Sequence, residues 1–432
     1  MTDIYEIAEY TLKALKDCGA DAAQCIVGRS KKDELNVDGG KFSLMRSTFN
    51  TSISMKAIKD GKKGVTSINQ ATKEAIDEAA AQCIAAAGSS VPDEAEQIAP
   101  FTAKNEYKTG VFEPDLDKLF DRIEEFMSQT KKEYPKVILE QLISDYEHSE
   151  KLYMNTNGTS LRYEHGEYSF NTMFSAHEDE KASSFNGYFC ALDNLDKPFM
   201  DAGMQRQLLE ESEKQLDTVS PSEKFVGKVI YSPDCFNELL QTALENFASS
   251  GVLIDGTSPW KDALNTKVAS EKLNLRSVPL DGRTVVGQRF TSDGYPAENM
   301  DIIVDGVLKT FILSQYGANK TGFPRALNGG NNLEVLPGDK TLEEMIAGID
   351  KGLIVNRFSG GQPSSNGDFS GVAKNSFLIE NGKVSSAVSE TMISGNIIDM
   401  LNNIVAISKE QTTDGLSFMP WAEFDGVTVS GK

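Results

Sequence analysis

The sequence predicts an α+β protein, with N-terminal helix-plus-antiparallel-sheet units followed by a β-rich C-terminal domain of hairpins and short helices. Three observations carry that reading. Apolar residues recur at helical spacing in a few separate stretches, and elsewhere they alternate at period two between Gly, Asp and Asn turns. Helical and extended stretches are segregated along the chain instead of alternating one by one, which argues against a doubly wound sheet. At 432 residues the chain is too long for a single core, so two or three domains are expected.

The elements follow in order. Residues 3–18 place Ile4, Ile7, Leu12, Leu15 and Cys18 at helical spacing, with Thr2 as N-cap and Gly19 as stop. Stretches 22–30 and 34–47 read as strands. Ile53, Met55 and Ala57 alternate with polar residues, turn at 60–64 and return through 64–69. An alanine-rich helix over 72–87, ended by Gly88, completes a first unit at 1–90. Residues 91–113, polar and carrying Pro92 and Pro100, read as a linker. A second unit, 114–219, opens with a helix that puts Leu116, Leu119, Phe120, Ile123, Phe126 and Met127 on one face. Strands over 136–145, 151–156, 160–177 and 184–191 follow, with Asn157-Gly158 as one turn, and a helix near 200–217 closes the unit.

The third segment, 220–432, begins with a strand at 228–232 and a helix that Ser232 caps and Pro233 opens; its apolar face runs from Phe236 to Phe247 and it stops at Gly251. Thr341 and Glu344 form a capping box for a helix at 341–349, and another short helix is expected at 396–406. Asp305-Gly306 and Asn381-Gly382 are hairpin turns. Between them, 353–355 reads as a strand and 359–371 as a Gly/Ser-rich loop; polar loops bracketed by rigid ribbons are where sites tend to sit.

Composition narrows the function. The formal net charge of −21 disfavours a nucleic-acid partner, which needs clustered Lys and Arg. No apolar run approaches the roughly 20 residues that span a bilayer, and residues 1–20 lack the basic and apolar regions of a signal peptide. A cytoplasmic location without membrane contact is therefore expected. Five scattered cysteines (Cys18, Cys25, Cys83, Cys190, Cys235) form no CxxC and read as structural thiols.

No arrangement of residues names a reaction by itself. His148, His165 and His177 lie in the second unit, beside Glu147, Glu164 and Glu178 respectively, but HExxH is absent and surface strand positions explain them better than a metal site does. Ser364, Ser365 and Ser370 have no GxSxG elbow. The stretch 317–325 lacks the end of a P-loop; its exposed N–H groups, with Arg325 as a fork donor, suit a peptide backbone or carboxylate better. No carboxylate pair stands out as a glycosidase dyad.

Three stretches, taken together, are more specific. They are 281–322, DGRTVVGQRFTSDGYPAENMDIIVDGVLKTFILSQYGANKTG; 332–383, with its GLIV strand, NGDFS loop and IENG turn; and 389–407, with GN opening a helix. With the DGKKGV hairpin at 60–65, they resemble the TldD/PmbA family, also known as modulators of DNA gyrase, along nearly the whole chain. The resemblance implies a cytoplasmic protease complex of two homologous subunits, associated with maturation of a peptide antibiotic and degradation of an antitoxin. One subunit, TldD, carries zinc on an HExxxH helix with a cysteine near the C-terminus; the other, PmbA or TldE, lacks that site.

A gapless match puts Leu239-Leu240 against the residues before that motif. Gln241 and Asn246 then stand where the histidines would be and Thr242 where the catalytic glutamate would be, and no cysteine occurs in 412–426. Neutral amides are poor zinc ligands, and no carboxylate remains to activate water. The resemblance therefore implies a PmbA/TldE-type subunit with no metal, cofactor or catalytic residue of its own, completing a chamber with a TldD-type partner or pairing with itself. Loops 314–331 and 359–371 are the expected peptide-facing surface, with Asn366, Asp368, Phe369, Ser370 and Arg325 as substrate-binding candidates. An extended peptide would add to an exposed strand edge. Two alternatives stand beside this: a non-catalytic peptide-binding or scaffold homodimer, and an independent enzyme using Ser365, Ser370 or Asp368.

Overall fold

The computed structural model describes residues 3–221, 223–389 and 391–431. Thr2, the expected first cap, lies outside them. Asp3 caps α1 (Ile4–Asp17), its carboxylate accepting from the N–H groups of Tyr5 and Glu6. Thr72 caps α2 (Lys73–Ser89), which runs through Gly88 instead of ending there. Asp115 caps α3 (Leu116–Glu133); its buried face is Leu119, Ile123, Phe126 and Thr130, while Phe120 lies nearer solvent, stacked on Phe42 with ring centres 4.5 Å apart. The helix expected over 200–217 is shorter, α4 (Gln205–Lys214).

The strands of this half are longer than their local patterns suggest. Stretches 22–30 and 34–47 belong to two long strands, β1 (Ala22–Asp38) and β2 (Lys41–Lys59), which turn at Gly39-Gly40; β3 (Lys62–Ile68) follows. Residues 136–145 and 151–156 are one strand, β5 (Val137–Asn155), because the polar residues between them pair on both sides, with β1 and with β6 (Ser160–Glu178). The stretch 91–113 is not only a connection: it contributes β4 (Lys104–Gly110), parallel to β6. β7 (Lys181–Ala182) and β8 (Asn186–Leu192) also pair with β6. The two helix-then-strand units therefore share one sheet, in the order β3-β2-β1-β5-β6-β4.

One face of that sheet is apolar. At one end α1 and α2 cover Cys25, Val27, Ile53, Met55 and Leu152; at the other, α3 and α4 cover Leu35, Val37, Leu142, Phe170 and Phe174. The opposite face is polar along its middle, where Lys32 reaches Asp145 at 3.5 Å and Glu147 at 3.0 Å.

The C-terminal half begins, after β9 (Thr218–Val219), with β10 (Phe225–Tyr231). Ser232 and Pro233 then start α5 (Pro233–Ala248) as expected, and α6 (Ser250–Ile254) continues it after a break. β11 (Leu275–Ser277), β12 (Met300–Val304), β13 (Val307–Leu308) and β14 (Leu333–Val335) follow, with α7 (Gln315–Thr321) inside the expected 314–331 loop. Next come α8 (Leu342–Ala347), β15 (Lys351–Val355), β16 (Arg357–Gly360), β17 (Asp368–Lys374), β18 (Ser376–Glu380), β19 (Lys383–Val388), β20 (Thr391–Asn396), α9 (Ile397–Asn402), β21 (Ile404–Thr413) and β22 (Phe418–Ser430).

Both hairpin turns form where expected, with φ of 48° and 74° at Asp305-Gly306 and 51° and 73° at Asn381-Gly382. The Thr341–Glu344 capping box forms too. The stretch 359–371 is not a loop throughout. β16 and β17 make it an antiparallel hairpin, with irregular backbone only over 361–367. Its small residues permit this: a Cβ on Gly371 would sit 2.3 Å from the Phe358 ring.

Strands β10, β15 and β18 are buried on both faces. Val229, Tyr231, Leu353, Val355 and Leu378 pack toward α5, whereas Ile230, Ile354, Phe377 and Ile379 pack toward the α3–α4 core of the other half. Their uninterrupted apolar sequences follow from that double burial. Secondary structure and mixed sheets together are α+β, and no helix of the described residues is long and apolar enough to cross a membrane.

Gly64 tests the packing of α2 on the sheet. A Cβ there would lie 1.9 Å from the Cys83 carbonyl oxygen and 2.8 Å from Ala87 N, whereas nothing lies within 4 Å of one on Gly88. Gly64→Ala is expected to cost about 1–3 kcal/mol, read as a lower thermal midpoint, and Gly88→Ala to leave the midpoint unchanged or raise it.

Candidate functional site

Helix α5 forms part of the seam between the two halves. Its apolar face, Phe236, Leu239, Leu240, Ala243, Leu244 and Phe247, is buried in the C-terminal core. Asp234 and Glu238, one helical turn apart, face a cavity of about 500 Å³. The opposite wall is the N-terminal sheet: Thr172 and Met173 of β6, and the 185–189 stretch that enters β8. Asn356, Arg357 and Asp414 complete the C-terminal side. Cys235 and Glu238 also line a smaller adjoining cavity of about 270 Å³, together with Thr242, Phe358, Gln362 and Phe369.

The larger cavity is negative. Asp234 opens onto it, yet its surroundings exclude enough water to push its carboxyl up to about 6, with the charges of Asp414 and Glu238 adding to the shift. Burial also raises Glu238, against the opposing charge of Arg357. Arg357 is committed elsewhere: its Nη1 donates to the Phe185 carbonyl at 2.7 Å, and Asn375 Nδ2 donates to the same oxygen at 3.0 Å. Behind the wall, Asn356 Nδ2 donates to Glu211 at 2.6 Å, and burial brings that carboxyl up to about 7. The cleft thus offers carboxylates and carbonyls more than donors, a lining that suits N–H-bearing or cationic groups.

The free edge of β8 points the same way. Ala191 N–H leaves the β6 ladder and donates to the Asp414 carbonyl at 2.8 Å. By strand alternation Phe189, two residues back, presents its main chain on that side. An extended chain in the cleft would meet an edge of the N-terminal sheet.

The residues singled out from sequence are not gathered at one point. Phe369 is buried and walls the smaller cavity, in edge contact with Phe358 at 5.7 Å. Asn366 and Asp368 are exposed and form a brace: Asn366 Nδ2 donates to Asp368 at 2.9 Å, and Asn396 Nδ2 donates to the other Asp368 oxygen at 2.9 Å. These bonds hold the Asp368 carboxyl below its usual range. Asn396 is also the N-cap of α9, so the brace ties the hairpin to that helix. Ser370 is exposed on β17, opposite Ser394. Arg325 lies apart from this group, its guanidinium 3.8 Å over the Tyr295 ring.

On α5, Thr242 lines the smaller cavity and its hydroxyl donates to the Glu238 carbonyl at 2.8 Å, while Gln241 donates to Asn237 at 3.3 Å. The histidines lie elsewhere, on the N-terminal sheet. His148 meets Glu164 at 3.0 Å, His165 meets Glu167 at 3.2 Å and His177 meets Ser175 at 2.9 Å. Burial pushes the Cys25, Cys190 and Cys235 thiols up to about 12, which leaves them protonated and inert. Among the described residues, no three His, Cys, Asp or Glu side chains are placed to hold a metal ion. The aligned α5 positions, Gln241, Thr242 and Asn246, offer two amides and a hydroxyl, a donor set that does not fit zinc.

Asp234, Glu238, Asn356, Arg357 and Asp414 escaped the sequence reading. One signal was available, two carboxylates at i and i+4 on the first turns of an otherwise apolar helix; the others come together only through the fold.

Comparison with known proteins places this geometry. The family profile for the PmbA/TldA metallopeptidase C-terminal domain matches residues 224–431, and that for PmbA/TldA metallopeptidase domain 1 matches 23–87. A metalloprotease of Methanocaldococcus jannaschii is 28% identical over 206 residues, 44% of each chain. The metalloprotease PmbA of Escherichia coli O157:H7 is 31% identical over 155 residues, 35% of this chain and 34% of that one. The chain thus aligns with less than half the length of these curated relatives. The crystal structure of TldE from Thermococcus kodakarensis superposes with a TM-score of 0.85 at 22% identity, covering 98% of this chain and all of that one, and so shares its fold.

The raised carboxyl of Asp234 makes a signed pH prediction. Its folded value lies above the unfolded one, so the native state binds the extra proton, and stability falls as pH rises through about 6. Asp234→Asn is expected to raise the thermal midpoint at pH 8 and to change it little at about pH 3.5, below the unfolded carboxyl's range. Equal effects at both pH values would contradict the assignment.

Proposed function

The chain belongs to the PmbA/TldD metallopeptidase family, and from that premise we propose that it is a zinc-free, PmbA/TldE-type subunit. It supports proteolysis of extended or unfolded peptides by an HExxxH-bearing homologue. The observation that carries this reading is the composition of α5. In the gapless match to HExxxH the aligned positions on α5 are Gln241, Thr242 and Asn246, and the helix borders the cleft, which supports the reading.

In this reading the chain's own contribution is to bind and orient. The β8 edge near Phe189 takes main-chain hydrogen bonds from an extended peptide, which gives affinity with little sequence selectivity. Asp234, Glu238 and Asp414 favour N–H-rich segments. Phe369 shapes the adjoining cavity, and the Asn366–Asp368–Asn396 brace keeps the hairpin that carries it in place, with Ser370 exposed on its outer side. Arg325, stacked on Tyr295, positions the α7 region instead of touching this cleft. The partner is a TldD-type homologue, and the working compartment is the cytoplasm.

Metal content and peptidase activity, measured on this protein alone and mixed with an HExxxH-bearing homologue, test the proposal. The expected result is no bound zinc and no cleavage alone, with chelator-sensitive cleavage in the mixture. Stoichiometric zinc on this chain alone, or chelator-resistant cleavage by it, would overturn the reading. Glu238→Gln is expected to leave the chain folded and to weaken the mixture's turnover of a lysine-rich peptide more than that of its neutral counterpart.

A further inference from the structure

A second cavity, of about 400 Å³, lies on the polar face of the N-terminal sheet, far from α5. Gln141 borders the cleft and Lys151 borders this cavity, ten residues on along β5, or about 33 Å at ~3.3 Å per residue. Its floor is small and polar. Gly28 stands between Ser52 and Lys151 in register, and Ser30 opposite Ser149. Its roof is the 287–290 stretch of the C-terminal half.

The cations Lys151 and Arg289 border this space. The carboxylate in the lining, Glu150, is taken by Arg162 at 2.6 Å. Neither Lys151 nor Arg289 forms an ion pair with a described residue. Each instead lies near an aromatic ring, Lys151 Nζ 5.9 Å from the centre of Phe290 and the Arg289 guanidinium 5.9 Å from that of Tyr163. Lys151 stays open to solvent on one side, yet the cavity walls displace part of its water with no acid to compensate, which pushes its ammonium below its ordinary value. In a chain of net charge −21 such a gathering of cations is out of character. Uncompensated, partly desolvated cations destabilise a fold unless something negative completes them.

We propose that this cavity binds a small, multiply charged oxyanion, held by Lys151 and Arg289 and met by the hydroxyls of Ser30, Ser52 and Ser149. The site is independent of the α5 cleft and of the peptidase reading. Two sources share the chemistry, a free phosphate compound and a carboxylate-bearing peptide end.

Calorimetric titration of the full chain at low ionic strength, with pyrophosphate in one arm and an acetylated dipeptide ending in Asp in the other, tests it. The expected result is saturable binding of at least one probe at one site per chain. Lys151→Met and Arg289→Gln should weaken it about tenfold or more, and Lys151→Arg should keep it. The tighter arm identifies the source. Without ligand, Lys151→Met should melt at the same temperature or higher, because it removes an uncompensated charge. Three outcomes would overturn the proposal: neither probe binding, binding unchanged in both variants, or a fall in the ligand-free midpoint of Lys151→Met.

Discussion

The double burial of strands β10, β15 and β18 is the constraint on which the rest of the molecule depends. Their side chains alternate between two cores, with Val229, Leu353 and Leu378 toward α5 and Ile230, Ile354 and Ile379 toward α3 and α4. A one-residue slip would exchange the two sets. That alternation fixes where α5 lies relative to the N-terminal sheet, and hence the width and lining of the cleft between them. The seam is therefore part of the folding core.

Polar groups concentrate where that core opens. At the α5 end, burial raises the Asp234 and Glu238 carboxyls beside Asp414, with Arg357 drawn off to the Phe185 carbonyl. At the far end of the same sheet face, Lys151 and Arg289 stand without acids. Between them Lys32 bridges Asp145 and Glu147. The face runs from negative to positive along the strands, a polarity that a strongly acidic composition conceals.

Much of the fold was legible locally. Asp305-Gly306, Asn381-Gly382, the Thr341–Glu344 box and the Ser232-Pro233 helix start are complete in a few neighbouring residues, and each forms as read. The readings that changed depend on distant partners. Residues 146–150 look like a break in a strand, yet they pair with β1 on one side and β6 on the other. Ser359, Gly360 and Gly371 have weak strand propensity, yet they pair because β20 supplies a further neighbour. The site followed the same rule. Phe369 could be singled out from its motif, whereas Asn356, Arg357 and Asp414 are brought together from separate segments.

By itself, the sequence determined the Ser232 and Thr341 caps, the two hairpin turns, the class of fold and the family, because each depends on residue identity at fixed spacing. Only the tertiary structure decided that two helix-and-strand units share one sheet, that the Asn366–Asp368 motif braces α9, and that carboxylates gather at one end of the polar face and cations at the other. Those are matters of register and proximity between separate segments, 28 residues apart for Asp368 and Asn396 and more than a hundred for β1 and β5, and hydrophobic pattern along the chain carries no record of them.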